Sequence, residues 1–148
     1  MAETLGMLCD KLTIVKLKQY HSIDQKRLDS LALQSEQLQE EIDSYIGDVI
    51  SGKIPTNKLS FVSNKVFKHE GNETAEILGS IGEVFNQLAE TNCNLWHVQE
   101  KVYEFHTVPA EEKDLVVKKL ALLNLERTKC IDTINSVFES LVLAQNKE

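Results

Sequence analysis

Asn124-Leu125-Glu126-Arg127-Thr128-Lys129-Cys130-Ile131-Asp132-Thr133-Ile134-Asn135 is the stretch whose reading decides the fold. Around it an apolar ladder runs Val116, Leu120, Leu123, Cys130/Ile131, Ile134, Val137/Phe138 and Leu141. Spacing of three and four residues places that ladder on one face of a long α-helix. Arg127 stands on the ladder four residues after Leu123 and four before Ile131, where a leucine is expected. A guanidinium does not lose its proton in a protein, so on an apolar stripe it must be paired or solvated.

Working back from this helix, His106-Thr107-Val108-Pro109 is a short connection. Proline suits the first turn of a helix, and Glu111, Glu112 and Asp114 suit its positive N-terminal end. The fourth helix is therefore expected over Pro109–Ala144. The third is expected from a Gly71-Asn72 cap and Glu73 to Phe105, nearly 50 Å long at about 1.5 Å per residue. Its stripe is Ile77, Ile81, Val84/Phe85, Leu88, Asn92, Leu95, Val98, Val102 and Phe105, with Asn92 as the polar interruption. Trp96 and Glu100 follow one and two turns along the same face, and the indole N–H of Trp96 needs an acceptor if buried. A tight connection makes helices three and four antiparallel neighbours. Asn92 lies 17 residues before Pro109 and Arg127 lies 18 after it, so the two sit level, with Asn124 between the levels of Trp96 and Asn92. Glu100 is at least one turn nearer the connection and reaches Arg127 only through long side chains.

The first helix, Glu3 to His21, is apolar on two sides: Leu5, Leu8, Leu12 and Val15 on one, Met7, Ile14, Leu17 and His21 on the other. Two apolar faces mean neighbours on both sides, so this short helix is expected at the centre. Asp10 projects between Ile14 and Leu17 on a core face, and carboxylates seldom face a core unpaired. It is the better partner for Arg127. Lys11 and Lys18 share an edge of the same helix. Ser22 and Gln25, three apart, read as a capping box opening the second helix, which Gly52 ends. Leu28, Leu31, Ser35, Leu38, Ile42, Tyr45 and Val49 form a heptad seam on it, a natural face for pairing two copies. Its other face carries Glu36, Glu40, Glu41, Asp43 and Asp48, read as a solvated acidic face. Ile54 to Asn57 reads as a loop, and residues 58–71 follow neither period cleanly and read as a short helix or irregular cover.

These elements make residues 1–148 one all-α domain, an antiparallel four-helix bundle with long helices and coiled-coil-like packing. The acidic balance, a net charge of −7, gives no footprint for nucleic acid. No apolar run approaches the roughly 18 to 20 residues of a membrane span. Met1-Ala2-Glu3-Thr4 lacks the basic region and cleavage site of a signal peptide, so a cytoplasmic location is expected. Cys9, Cys93 and Cys130 form no C-x-x-C pair and read as reduced, buried small hydrophobes. No metal is expected, because neither cysteines nor histidines have ligand spacing.

Three helices thus carry polar residues on apolar faces. The candidate set is Asp10, Lys11, Lys18, Asn92, Trp96, Glu100, Asn124, Arg127 and Asn135. One reading is a buried hydrogen-bonded network that sets helix register. The other is a ligand pocket between helices, where convergent polar groups meet an aromatic ring. The set also carries a resemblance. Gly6-x-Leu8-x-Asp10-Lys11-x-Thr13-Ile14-x-x-x-Lys18, Asn92-x-x-Leu95-Trp96-x-x-x-Glu100, and Asn124-x-x-Arg127 followed by Ile134-Asn135 occur in that order. In this the chain resembles a family of small bacterial helical proteins of unknown function, some encoded beside or fused to glycosyltransferases and sugar-handling modules. The matching segments cover about a third of the chain. The family usually has an acidic pair after Leu-Trp and often an arginine near it; here stand Gln99-Glu100 and Tyr103.

For function, His21, His69, His97 and His106 are scattered, and the Glu-x-x-His pairs of di-iron bundles are absent. Glu73-x-x-Glu76 is half of the acidic pattern of helical nucleotide pyrophosphohydrolases, without its second half. Phosphate loops of the G-x-x-x-x-G-K-[ST] and G-x-G-x-x-G types are missing too. Neither a catalytic residue nor a cofactor is assigned, and enzyme activity stays open. The expectation is a non-catalytic helical interaction or accessory protein that forms a homo-oligomer, a dimer first of all, and has room for a protein partner. From the resemblance, its setting is glycan or cell-envelope assembly. The alternative is a binder of a small ligand, a nucleotide or sugar nucleotide, or an enzyme, using the pocket between helices.

Overall fold

The computed structural model describes residues 3–61 and 76–146. They form four α-helices, α1 (Leu5–His21), α2 (Gln25–Ile50), α3 (Ile81–Tyr103) and α4 (Lys113–Asn146), with 3-10 turns at Thr56–Lys58, Phe105–Thr107 and Ala110–Glu112. None of the described residues lies in a β-strand. The four helices pack together: α1 packs against each of the other three, α3 lies along α4, and α2 rests almost wholly on α1. Among the described residues no helix is long and apolar enough to cross a membrane.

The chain's end signals place these helices. Thr4 caps α1, its hydroxyl accepting from the Met7 amide at 3.3 Å. Asp24, not the expected Ser22, caps α2 by accepting from the Arg27 amide at 3.1 Å. Gln25 instead reaches forward to Asp29, so the Ser22–Gln25 capping box does not form. Gly52, at φ +83°, ends α2 in the left-handed conformation that glycine adopts without steric cost. The third helix starts at Ile81, eight residues after the expected Glu73; residues 62–75, with the Gly71-Asn72 cap and Glu73, lie outside the described residues. The cause is a capping box: Ser80 Oγ accepts from the Glu83 amide at 3.3 Å and donates to Glu83 Oε1 at 3.2 Å. Gly79 precedes it at φ +139°, where a Cβ would fall 2.9 Å from Glu83 Oε2. With 23 residues, α3 is about 35 Å long rather than nearly 50. The fourth helix begins at Lys113, not Pro109, because residues 110–112 close as a 3-10 turn.

Packing follows from these ends. Lys113 sits over the Phe105 ring, Gln87 bonds Glu126, and the Thr133 hydroxyl reaches the Ile77 carbonyl, so α3 and α4 run in opposite directions. The main core joins Leu5, Leu8 and Cys9 of α1 to Tyr45 and Val49 of α2, Val84 and Leu88 of α3, and Cys130, Ile134 and Phe138 of α4. Leu59, from the short segment after α2, is fully buried in it. A second cluster, Leu95, Val98 and Leu123 with Val116 and Leu120, is built from α3 and α4 alone. Leu141, expected on the ladder, is 57% exposed, because the apolar face turns away near the end of α4.

The seam of α2 has a partner within the chain. Leu31, Ser35, Tyr45 and Val49 are buried and Leu38 and Ile42 half-buried, on a helix that rests on α1. The seam is therefore not the free pairing face the heptads suggested. A heptad pattern specifies a helical partner but not which one.

Gly6 marks the closest approach of α1 to α4. A Cβ there would lie 2.5 Å from the Ile131 carbonyl oxygen and 2.9 Å from Asn135 Oδ1. Backbone must then shift, at the about 1–3 kcal/mol typical of overpacking. We therefore expect Gly6→Ala to lower stability in urea denaturation by about 2 kcal/mol or more. Gly47→Ala, in open space on α2, should raise it by about 0.5–1 kcal/mol. Equal effects at the two sites would contradict the close approach.

Candidate functional site

Asp10 of α1 is buried, and α3 and α4 both converge on it. Its Oδ1 accepts from Arg127 Nε at 2.8 Å and from Asn92 Nδ2 at 3.0 Å, while Oδ2 accepts from Arg127 Nη2 at 2.5 Å. The guanidinium and carboxylate thus meet in a two-bond fork, the strongest ordinary form of a charge-assisted hydrogen bond. Asn92 Nδ2 also donates to Thr13 Oγ1 at 2.7 Å, and that hydroxyl donates to the Asp10 carbonyl at 2.7 Å. Three helices are fastened at one point. The hydrogen bond to Asp10 raises the Arg127 pKa; burial opposes the shift and the Asp10 charge adds to it, so the side chain remains a cation. Asn92, 1% exposed, turns its Oδ1 into the interior with no hydrogen-bond partner among the described residues. An unmet buried acceptor costs about 1–3 kcal/mol. It persists because both protons of the amide are held by Asp10 and Thr13.

The other candidate residues fall elsewhere. Asn135 Oδ1 accepts from the Gly6 amide at 2.7 Å, satisfying a first-turn N–H of α1 and pinning that end to α4. Asn124 folds back on its own helix, donating to the Leu120 carbonyl at 3.1 Å. Lys11 is exposed and pairs with Glu3 at 2.9 Å. Glu100 is exposed and does not reach Arg127, whose carboxylate partner is Asp10. Trp96 is half-buried and stacks on His21, with ring centroids 4.7 Å apart and planes 8° from parallel. Thr13 and His21 are the contributors absent from the candidate set. Thr13 is three residues beyond Asp10, the spacing that puts two side chains on one helical face. Nothing in the spacing of His21 signalled its stack.

Two grooves flank the cluster and share Ile14, Lys18 and Arg127. The first, about 400 Å³ between α1 and α2, continues past Lys11, Gln34, Gln37 and Glu41. The second, about 630 Å³ between α1, α3 and α4, is walled by His21, Trp96, Gln99, Glu100 and Tyr103. Lys18 also borders a third, with Arg27, His21 and Trp96. Six of the nine candidates therefore divide into the clamp (Asp10, Asn92, Arg127), of which Asp10 and Arg127 also line the first groove, and a rim (Lys18, Trp96, Glu100).

Burial pushes the thiol of Cys9 up to about 11, with the Asp10 charge adding to it. Burial first, then the Glu126 charge, pushes Cys130 up to about 11, against the lowering effect of the Thr91 hydroxyl. Cys93 is exposed, contrary to the expectation of three buried thiols, because it falls one residue past Asn92 and off the apolar stripe. Comparison with known protein families, curated proteins and solved structures finds no match to this chain.

Removing one member of a buried charged pair strands the other, typically at about 3–5 kcal/mol. Arg127→Leu should therefore destabilise by that order in denaturant titration although it completes the apolar ladder, and Arg127→Leu with Asp10→Leu should recover much of the loss. An unchanged or raised melting temperature for Arg127→Leu would contradict the clamp. The thiols give a second check. Iodoacetamide at pH 8 should label Cys93 alone in the native state. Since Cys9 and Cys130 are held neutral above their ordinary value of 9.0, unfolded thiolates gain as pH rises. Both groups should therefore cost stability between pH 9 and about 11, and Cys9→Ala with Cys130→Ala should flatten that alkaline slope.

Proposed function

We propose that this chain is a non-catalytic helical interaction protein, an accessory module that works through its surfaces. The observation that supports this best is the closure of the clamp. Asp10 is the one buried carboxylate among the described residues, and both of its oxygens are held by Arg127 and Asn92. A general acid or base needs an oxygen free to meet substrate, and Asp10 has none to spare. The neutral, buried Cys9 and Cys130 thiols are likewise unsuited to nucleophilic attack.

On this reading the helices form an antiparallel four-helix bundle of coiled-coil character, and the protein self-associates in the cytoplasm as a dimer. With the α2 seam occupied by α1, the surface available for association is the far end of the α3–α4 hairpin. Its core draws on those two helices alone, and Tyr103, Leu115 and Val117 stand exposed beside it. Exposed apolar clusters at the end of a helical hairpin favour association. A setting in glycan or cell-envelope assembly rests on the resemblance carried by Asp10-Lys11, Leu95-Trp96 and Arg127. A second reading, a binder of a nucleotide or sugar nucleotide or an enzyme acting on one, is favoured by the groove that Trp96, Lys18 and Glu100 border.

Sedimentation at tens of micromolar should give a dimer for the wild-type chain. Leu115→Glu with Val117→Glu should give a folded monomer of unchanged helix content by circular dichroism, since both side chains are solvent-facing in a single copy. A wild-type monomer at that concentration would overturn the self-association.

A further inference from the structure

Lys18 is the residue on which three concave surfaces meet. It is exposed and, among the described residues, has no ion-pair partner, in contrast to Lys11 about two turns away. Arg127 lies beside it in two of those surfaces. Asp10 engages Nε and Nη2 of the guanidinium, while Nη1 has no hydrogen-bond partner among the described residues and the side chain remains 34% exposed. The unpaired ammonium of Lys18 and the outer N–H edge of Arg127 thus bring a cation and a free hydrogen-bond donor to one concave surface.

The larger groove adds a second kind of recognition. The parallel His21–Trp96 stack puts two aromatic rings in its wall, and Glu100 brings a carboxylate with no hydrogen-bond partner among the described residues. Flat aromatic walls accept the C–H face of a sugar or the face of a base, and a carboxylate accepts from ring hydroxyls or amines. Glu100 also repels an anion, which favours placing the one charged group of a ligand on Lys18 and Arg127. At about 630 Å³ the groove is within the range of sites for small organic ligands, and is much larger than a free phosphate requires.

We infer that the groove between α1, α3 and α4 is a binding site for a phosphorylated ring, a monosaccharide phosphate or a nucleoside monophosphate, with the phosphate on Lys18 and Arg127 and the ring on Trp96 and Glu100. This deepens the small-ligand reading above; the groove shares Tyr103 with the proposed association surface, but its test uses neither Leu115 nor Val117. It assigns Arg127 two roles: its inner edge clamps Asp10 and its outer edge meets the anion, so the structural clamp orients the binding group.

Trp96 is the single tryptophan of the chain, so intrinsic fluorescence reports on this wall directly. The probes are glucose 1-phosphate, uridine 5′-monophosphate, glucose, uridine and inorganic phosphate, each titrated into the full chain and repeated by calorimetry. The expected result is saturable binding of one phosphorylated ring, about tenfold or more tighter than its unphosphorylated parent and than phosphate alone. Whether the sugar or the nucleotide binds identifies the ring. Lys18→Gln should weaken that binding by about tenfold. Lys119→Gln, an exposed charge outside the grooves, should leave it unchanged. No saturable binding up to about 10 mM, or equal affinity in Lys18→Gln, overturns the inference and leaves the interaction reading intact. Phosphorus NMR of the same mixtures separates the two: turnover of a bound probe would overturn the non-catalytic reading while supporting the site.

Discussion

A carboxylate in a core of leucines must be neutralised, and the clamp on Asp10 is how this protein does it. Desolvating each ion costs several kcal/mol, which a pair recovers only with good geometry and satisfied lone pairs. Here the guanidinium of Arg127 supplies two hydrogen bonds and the Asn92 amide a third, with Thr13 fixing the amide in turn. Asp10 and Thr13 come from α1, Asn92 from α3 and Arg127 from α4, so the carboxylate sets the mutual register of the three helices. Apolar contacts alone tolerate sliding; a forked ion pair does not. Replacing the whole cluster by hydrophobic side chains would cost little stability, so its contribution is above all to uniqueness of arrangement.

Around that point the rest of the chain takes its place. Gly6 lets α1 approach the α4 backbone, and Asn135 completes the first turn of α1 there. Asp10 and Asn135 together hold the shortest helix along the longest. Held in this way, α1 offers its second face to the heptad seam of α2, which explains why a helix with an outer face of Glu36, Glu40, Glu41 and Asp43 folds onto the molecule. The grooves are consequences of the same layering. They run along both flanks of α1, and Lys18 and Arg127 stand where they meet.

What could be read from residues alone was the conflict between charge and pattern. Arg127 on an apolar ladder and Asn92 on an apolar stripe were legible because each breaks a period, and counting from Pro109 put them level. Asp10 was legible because it faces a core. Asn124, Asn135 and Lys11 break or border the same patterns, yet each finds another partner: its own helix for Asn124, an orphan amide of α1 for Asn135, a carboxylate at the chain start for Lys11. Periodicity does not distinguish these fates. The start of α3 was missed because the apolar rhythm runs from Ile77 to Ile81 across Gly79-Ser80-Ile81-Gly82-Glu83, a local stop that the stripe conceals. The stack of His21 on Trp96 joins separate helices whose relative rotation no single helical pattern carries.

Native-state hydrogen exchange on the wild-type chain and Asp10→Asn tests the central claim most directly. If the clamp governs the register of α1, the amides of residues 9–17 in the wild type exchange only through global unfolding. In Asp10→Asn they exchange through local opening, while those of Val84 to Val98 keep their protection. Equal protection of residues 9–17 in both proteins would contradict the account.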